Sequence, residues 1–309
     1  MSLSRTTRNA VAIANLALLA VDFTSFTIPS KLVGINDPED SVFMLDEFSR
    51  TELLIGKSAL EHLHQCKVAV FGLGGVGSYT AEALARAGIG HFVLIDDDKI
   101  CLTNINRQLL ATHRTLGQYK VDVMRELILD INPRAHVETH QIFFLPETTR
   151  DLIRPDLDYL VDAIDTVSAK IELVLRAGDL GIPIISCMGA GNKMDPTRFQ
   201  VDDIYRTSVD PLCKVMRKEL KKRGVAALKV VYSTEEPMEA APSANEANPA
   251  SCHNACVCPP GTVRKCTHRR RIPGSMSFVP SVAGLIMAGV VIRDLIAQIP
   301  PVQSQPDVQ

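Results

Sequence analysis

From Lys67 to Asp98 the chain reads KVAVFGLGGVGSYTAEALARAGIGHFVLIDDD, and no other stretch limits the possible folds so sharply. KVAVF is a short apolar strand, GLGGVG has the spacing G-x-G-x-x-G, SYTAEALARAG is a good helix ending at Gly88, and HFVLID is a second strand closed by Asp96. Strand, glycine turn, helix, strand and acid together predict a βαβ nucleotide unit, and with it a doubly wound α/β sheet. Gly72 permits the tight turn, Gly74 and Gly75 let phosphates approach the backbone, and Gly77 lets the helix pack close. The phosphates are expected on the positive end of the helix, with Asp96 on ribose hydroxyls. This motif by itself leaves NAD and ATP both open.

The residues that follow separate the two. After Asp96 come DDKICLTNINRQ and, from Gly117, GQYKVDVMRELILDINP. An NAD oxidoreductase needs no Asn104, Arg107 and Lys120 beyond its second strand, whereas chemistry at the α-phosphate of ATP does. Charge builds on those oxygens and on the departing pyrophosphate; Arg107 and Lys120 would stabilise it and Asn104 would fix orientation. Asp98 stands beside Asp96 as a further nucleotide contact. Next, DYLVDAIDTVSAK puts Asp162 and Asp165 at the end of a third strand, where Asp165 is placed to hold Mg²⁺ on the phosphates. These assignments predict that Lys120→Ala abolishes turnover and leaves folding intact.

LIDDDKICLTNINRQ, GQYKV and VDAIDT resemble the ThiF/MoeB-type adenylating family, which activates ubiquitin-like and sulfur-carrier proteins. The resemblance implies a Rossmann-like doubly wound sheet, ribose binding by Asp96, phosphate contacts from Asn104, Arg107 and Lys120, and metal binding by Asp165. EFSRTELLIG is similar to the family's N-terminal Arg-Gln signature, whose Arg reaches a partner subunit's ATP site; Arg50 takes that place and Thr51 replaces the Gln. That contact implies a homodimer. The downstream blocks CMGAGNKMDPTRFQVDDIYRTSVDPLCKVMRKELKKRG, VVYSTE and RRRIPGSMSFVPSVAGLIMAG resemble one branch, the dehydratases of threonylcarbamoyladenosine in tRNA. Membership there implies that ATP adenylates the modified base's carboxylate and that the ureido oxygen then closes onto the activated carbonyl. No thioester cysteine is needed. The alternative within the family is activation of a ubiquitin-like or sulfur-carrier C-terminus, with a cysteine desulfurase or other sulfur-transfer partner.

A tRNA substrate calls for basic surface. As a helix, residues 209–224 align Lys214, Arg217, Lys218, Lys221 and Lys222 in one stripe, with Leu212, Val215, Met216 and Leu220 opposite. Arg264, Lys265, Arg269, Arg270 and Arg271 form a second cluster. Both suit phosphate-backbone contact in a chain whose net charge is only -2.

The 8 cysteines divide unevenly along the 309 residues. Cys66, Cys101, Cys187 and Cys213 are scattered singly and read as buried thiols of a protein in a reducing cytosol. Cys252, Cys256, Cys258 and Cys266 crowd into CHNACVCPPGTVRKC, after the low-complexity EEPMEAAPSANEANPAS. Four thiolates suit tetrahedral Zn²⁺, with His253 or His268 able to replace one; a redox or partner-contact loop and inert thiols stay open. Residues 1–43 read as a disordered extension or as sequence ahead of a true start at Met44, residues 44–299 as one ATP-binding domain interrupted by an insertion at about 235–268, and residues 300–309 as a tail. Arg5, Arg8 and the apolar run Ala10 to Val21 have a signal-peptide layout, but the run is shorter than a membrane span. SVAGLIMAGVVIRDLIAQI reads as a buried helix, with membrane association as the lesser reading.

Overall fold

KVAVF and HFVLI lie side by side as parallel strands β1 (Lys67–Phe71) and β2 (His91–Ile95), Lys67 opposite His91 and Phe71 opposite Ile95. The computed structural model describes residues 46–144, 150–239 and 273–299. The extension, the tail, the four clustered cysteines and Arg264 to Arg271 fall outside the described residues.

The other strands are β3 (His136–His140), β4 (Tyr159–Asp162), β5 (Ile184–Cys187), β6 (Phe199–Asp203) and β7 (Lys229–Ser233). They make a 7-stranded sheet in the order β3-β2-β1-β4-β5-β7-β6, parallel except where β6 pairs antiparallel to β7. The chain reverses its direction of travel at β1 and β4, so the crevice beyond their carboxyl ends is the switch point where such sheets bind ligands. The strand carrying Asp162 is the fourth in the chain, not the third. The sequence reading passed over β3, HVETH, because an edge strand half in solvent has no apolar run: Val137 is its one aliphatic residue.

Seven helices surround the sheet among the described residues: α1 (Ser49–Ile55), α2 (Lys57–Gln65), α3 (Gly77–Arg86), α4 (Lys120–Ile131), α5 (Val167–Leu180), α6 (Pro211–Lys222) and α7 (Phe278–Ile296). Val279, Ala283, Met287, Val291 and Leu295, four apart along α7, are all fully buried. That face packs on α3 so closely that a Cβ on Gly284 would come 2.4 Å from the Val76 carbonyl oxygen. Thr80 Oγ1 donates to the Gly284 carbonyl at 3.1 Å across the same contact. Although α7 has the length and hydropathy to cross a bilayer, its apolar stripe is spent on the protein core, as the buried-helix reading anticipated.

α6 starts at Asp210, whose Oδ1 accepts from the Cys213 amide at 3.0 Å, with Pro211 in the first turn. Its buried residues are Cys213, Met216 and Leu220, and Val215 is exposed. The apolar face is therefore rotated from the one the sequence suggested.

Candidate active site

The glycine turn follows β1 and is held on three sides. Gly72 has φ +89, and a Cβ there would lie 2.8 Å from the Ala163 carbonyl oxygen at the end of β4. A Cβ on Gly77 would lie 1.8 Å from the Gly72 oxygen, so the turn closes only with glycine at both ends. One on Gly75 would meet Pro280 of α7 at 3.1 Å and the Arg107 carbonyl at 3.2 Å. Above Gly74, by contrast, the nearest atom to such a Cβ is Gln108 Nε2 at 3.9 Å. The loop thus leaves an open cradle at Gly74, at the amino end of α3, where backbone N–H groups and the helix dipole favour anions.

At one wall stand three acids and one lysine. Asp96 Oδ2 accepts from the Leu73 amide at 2.6 Å, and its Oδ1 accepts from the Asp98 amide at 2.8 Å. Lys120, at the first position of α4, reaches Asp98 Oδ2 at 2.7 Å and Asp96 Oδ1 at 3.6 Å, and its side chain is only 4% exposed. Burial works against the Lys120 charge, yet the Asp96 and Asp98 carboxylates outweigh it and hold the group above its ordinary value. Burial, opposed by Lys120, pushes the Asp96 carboxyl up, and burial with the neighbouring Asp98 and Asp96 charges pushes Asp97 up to about 6. Lys120 is thus the keystone of the acidic wall, whatever contact it makes with a ligand. Its burial and its pairing with Asp96 and Asp98 give reason to expect that Lys120→Ala costs stability as well as turnover, where the sequence reading expected folding to be spared.

Arg107 and Asn104 belong to the loop that follows the turn Leu102–Asn104. Asn104 Oδ1 accepts from the Cys101 amide at 3.1 Å and so shapes the loop itself. Arg107 Nη1 donates to the Thr103 carbonyl at 2.8 Å and to Asn106 Oδ1 at 3.0 Å. Asp165, exposed, follows β4 by three residues and lies two beyond Ala163, the residue that touches Gly72. Arg50 is not brought to this crevice. It stands exposed on α1, which packs on α2; α2 is tied to the start of β2 through His64 Nδ1 and the Gly88 carbonyl at 2.8 Å. The starts of the strands are the end of the sheet opposite the glycine turn.

Two buried groups here went unassigned in the sequence. Gln108, 7% exposed, has an Oε1 with no hydrogen-bond partner among the described residues, beside the open Gly74 cradle. A buried amide left incomplete at that point fits a polar ligand in the cradle. Its signal was present in NINRQ, directly after Arg107. Beneath the Asp165 loop, Lys170 Nζ bonds Asp162 Oδ2 at 2.9 Å and Ser186 Oγ at 3.1 Å, all three fully buried. Asp162 Oδ1 in turn accepts from the Ile164 amide at 3.2 Å and steadies the segment leading to Asp165.

Of the α6 stripe, Lys214, Lys218, Lys221 and Lys222 are exposed, Lys222 paired with Glu219 at 2.9 Å. Arg217 is turned inward: it donates to the Thr207 carbonyl at 2.8 Å and to the Thr207 hydroxyl. Burial pushes the Cys187 and Cys213 thiols up to about 12, so neither is a thiolate nucleophile at neutral pH.

Comparison with known proteins agrees with this geometry. The chain matches the ThiF family over residues 48–307. It is 45% identical over 259 residues to the tRNA threonylcarbamoyladenosine dehydratase of Bacillus subtilis, covering 83% of this chain and 97% of that one. With the enzyme of the same name from Escherichia coli it shares 39% identity over 196 residues, 61% of this chain and 73% of the other. The crystal structure of the Escherichia coli enzyme in complex with ATP superposes with a TM-score of 0.68 at 32% identity, covering 81% of this chain and 94% of that one.

Proposed function

The chain belongs to the ThiF family, and on that footing we propose that it dehydrates threonylcarbamoyladenosine in tRNA, using ATP to activate the nucleoside's carboxylate. The observation that supports this reading is the crevice itself: an open cradle at Gly74 with the Gln108 amide beside it, the Arg107 backbone against Gly75, Lys120 bonded to Asp96 and Asp98, and Asp165 in the loop that follows β4.

The cradle and the amino end of α3 hold the phosphates, and Asp96, already fixed by the Leu73 and Asp98 amides, accepts from ribose hydroxyls. The nucleoside carboxylate attacks the α-phosphorus, pyrophosphate leaves, and Arg107 and Lys120 stabilise the charge that gathers on the phosphate oxygens. The ureido oxygen then attacks the activated carbonyl and AMP departs, so the nucleoside has lost one water in total. Asp165 supplies an exposed carboxylate of the kind that hard divalent cations take, and Mg²⁺ held there would neutralise phosphate charge. With Arg50 at the far end of its own sheet, a two-fold dimer in which each Arg50 completes the other subunit's site accounts for its placement. Lys214, Lys218 and Lys221 on α6 offer phosphate-backbone contacts for tRNA. Asp210, the cap of α6, accepts from Lys193 at 3.0 Å and so fixes the start of the helix to the loop after β5.

Pyrophosphate release with ATP and Mg²⁺ tests the assignment. Release that depends on tRNA bearing the modified nucleoside supports it; release that appears only with a sulfur-carrier or ubiquitin-like protein overturns it.

A further inference from the structure

Asn106 lies between Asn104 and Arg107, two of the three residues to which the family resemblance assigns phosphate contacts, and its side chain is bonded at both ends. Its Oδ1 accepts from Arg107 Nη1 at 3.0 Å, and its Nδ2 donates to the Ser275 carbonyl at 2.9 Å, 169 residues along the chain. Those partners settle the amide's orientation: the flipped form would set its oxygen against a carbonyl and its NH₂ against a guanidinium. Ser275 sits in the short segment that leads into α7, and that segment is anchored in its turn. Gly274 N–H donates to Asn192 Oδ1 at 2.6 Å, and Asn192 N–H donates to the Gly274 carbonyl at 2.8 Å. Asn192 also accepts the Met238 amide on its own carbonyl at 2.7 Å. It does so at φ +57, a left-handed conformation that Asn tolerates better than most residues. Packing adds to the clasp: a Cβ on Gly191 would stand 2.7 Å from Pro273 Cβ. A non-glycine residue held at positive φ by three backbone-directed hydrogen bonds is conformation fixed by its surroundings, a condition that gathers at working sites.

We propose that Asn106 is the positioning residue for Arg107, and that the Asn192–Gly274 clasp fixes Asn106 by holding Ser275 in place. The guanidinium is thereby aimed before the nucleotide arrives, and the loop after β5 is coupled to the loop that carries Arg107. Such preorganisation lowers the barrier through orientation at the moment charge develops and contributes less to ground-state binding. The proposal rests on the reading of Arg107 as an adenylating residue.

The test measures steady-state dehydration, ATP affinity by calorimetry and thermal unfolding for the wild type, Asn106→Ala, Asn192→Ala, Arg107→Ala and the Asn106→Ala/Arg107→Ala double variant. Loss of one bond to a charged group predicts that Asn106→Ala lowers kcat by about tenfold or more while ATP affinity changes by less than about threefold. Asn192→Ala lowers kcat in the same direction and by less. In the Arg107→Ala background, Asn106→Ala is expected to have no further effect, an outcome that a merely structural contribution would not produce. Should the alanine variant fail to fold, Asn106→Asp serves instead, since it keeps an acceptor for Arg107 and has no donor for Ser275. Unchanged kcat, or an equal loss with and without Arg107, overturns the proposal. A wild-type protein inactive on the tRNA fails the functional reading instead, so the two failures are distinct.

Discussion

Removing the Lys120 charge should destabilise the fold as well as stop the chemistry, and the two effects separate by pH. In Lys120→Met the apolar stem remains and the ammonium goes. Asp96, with a side chain only 8% exposed, then loses the cation 3.6 Å away, and Asp98, 51% exposed, loses one 2.7 Å away. Stranding a fully buried partner costs about 3–5 kcal/mol, and losing an exposed one costs about 0–1 kcal/mol. Asp96 keeps two backbone N–H donors, so a total near 2–4 kcal/mol at pH 7.5 is expected. The pH dependence has a definite sign. The Asp96 and Asp97 carboxyls are both raised in the folded state, Asp97 to about 6, so that state takes up protons at higher pH than the unfolded chain does. Their repulsion is present while both are charged and is relieved as pH falls and they protonate. Urea unfolding of wild type and Lys120→Met from pH 5 to pH 8 should therefore show a deficit that narrows toward pH 5, and Asp96→Asn added to Lys120→Met should recover most of it. A deficit below about 0.5 kcal/mol, or one that is flat across this range, refutes the view of Lys120 as the keystone of the acidic wall.

Three further outcomes follow from the same geometry. Asp97→Asn should stabilise the protein by about 1 kcal/mol at pH 7.5, after discounting for solvent, with the gain shrinking as pH falls through about 6 and gone near pH 3, where the carboxyl is protonated in the folded and unfolded states alike; an undiminished gain there would contradict its assignment. Gly77→Ala drives a methyl to 1.8 Å from the Gly72 oxygen and should cost about 3 kcal/mol with loss of ATP binding, both read by thermal unfolding with and without nucleotide. Arg50→Ala and Asp165→Asn, each inactive alone, should recover about one quarter of wild-type activity when co-refolded, because half of the random dimers hold one intact site. No recovery in confirmed mixed dimers would remove Arg50 from the partner's site.

The local part of this account was open to sequence reading, because the glycine spacing, the helix after it and Asp96 are consecutive and each has one geometric use. What escaped was set by contacts across the chain. HVETH forms a strand only because β2 offers it an edge. The burial of Lys120 depends on Asp96 and Asp98 folding over it from two dozen residues upstream. Helical periodicity found α6 and its charged residues, yet its rotation is decided by Cys213, Met216 and Leu220 facing the sheet, which exposes Val215 and turns Arg217 onto Thr207. The Asn106–Ser275 bond and the Asn192 clasp join segments 169 and 82 residues apart, a pairing no local pattern announces.

The central claim is a change in one nucleoside. The protein, ATP, Mg²⁺ and tRNA carrying threonylcarbamoyladenosine are incubated together, the tRNA is digested under mild conditions, and the nucleosides are weighed. The account predicts that the modified nucleoside loses the mass of one water, with one AMP and one pyrophosphate formed for each. An unchanged nucleoside mass, with AMP formed only when a carrier protein is added, would contradict it.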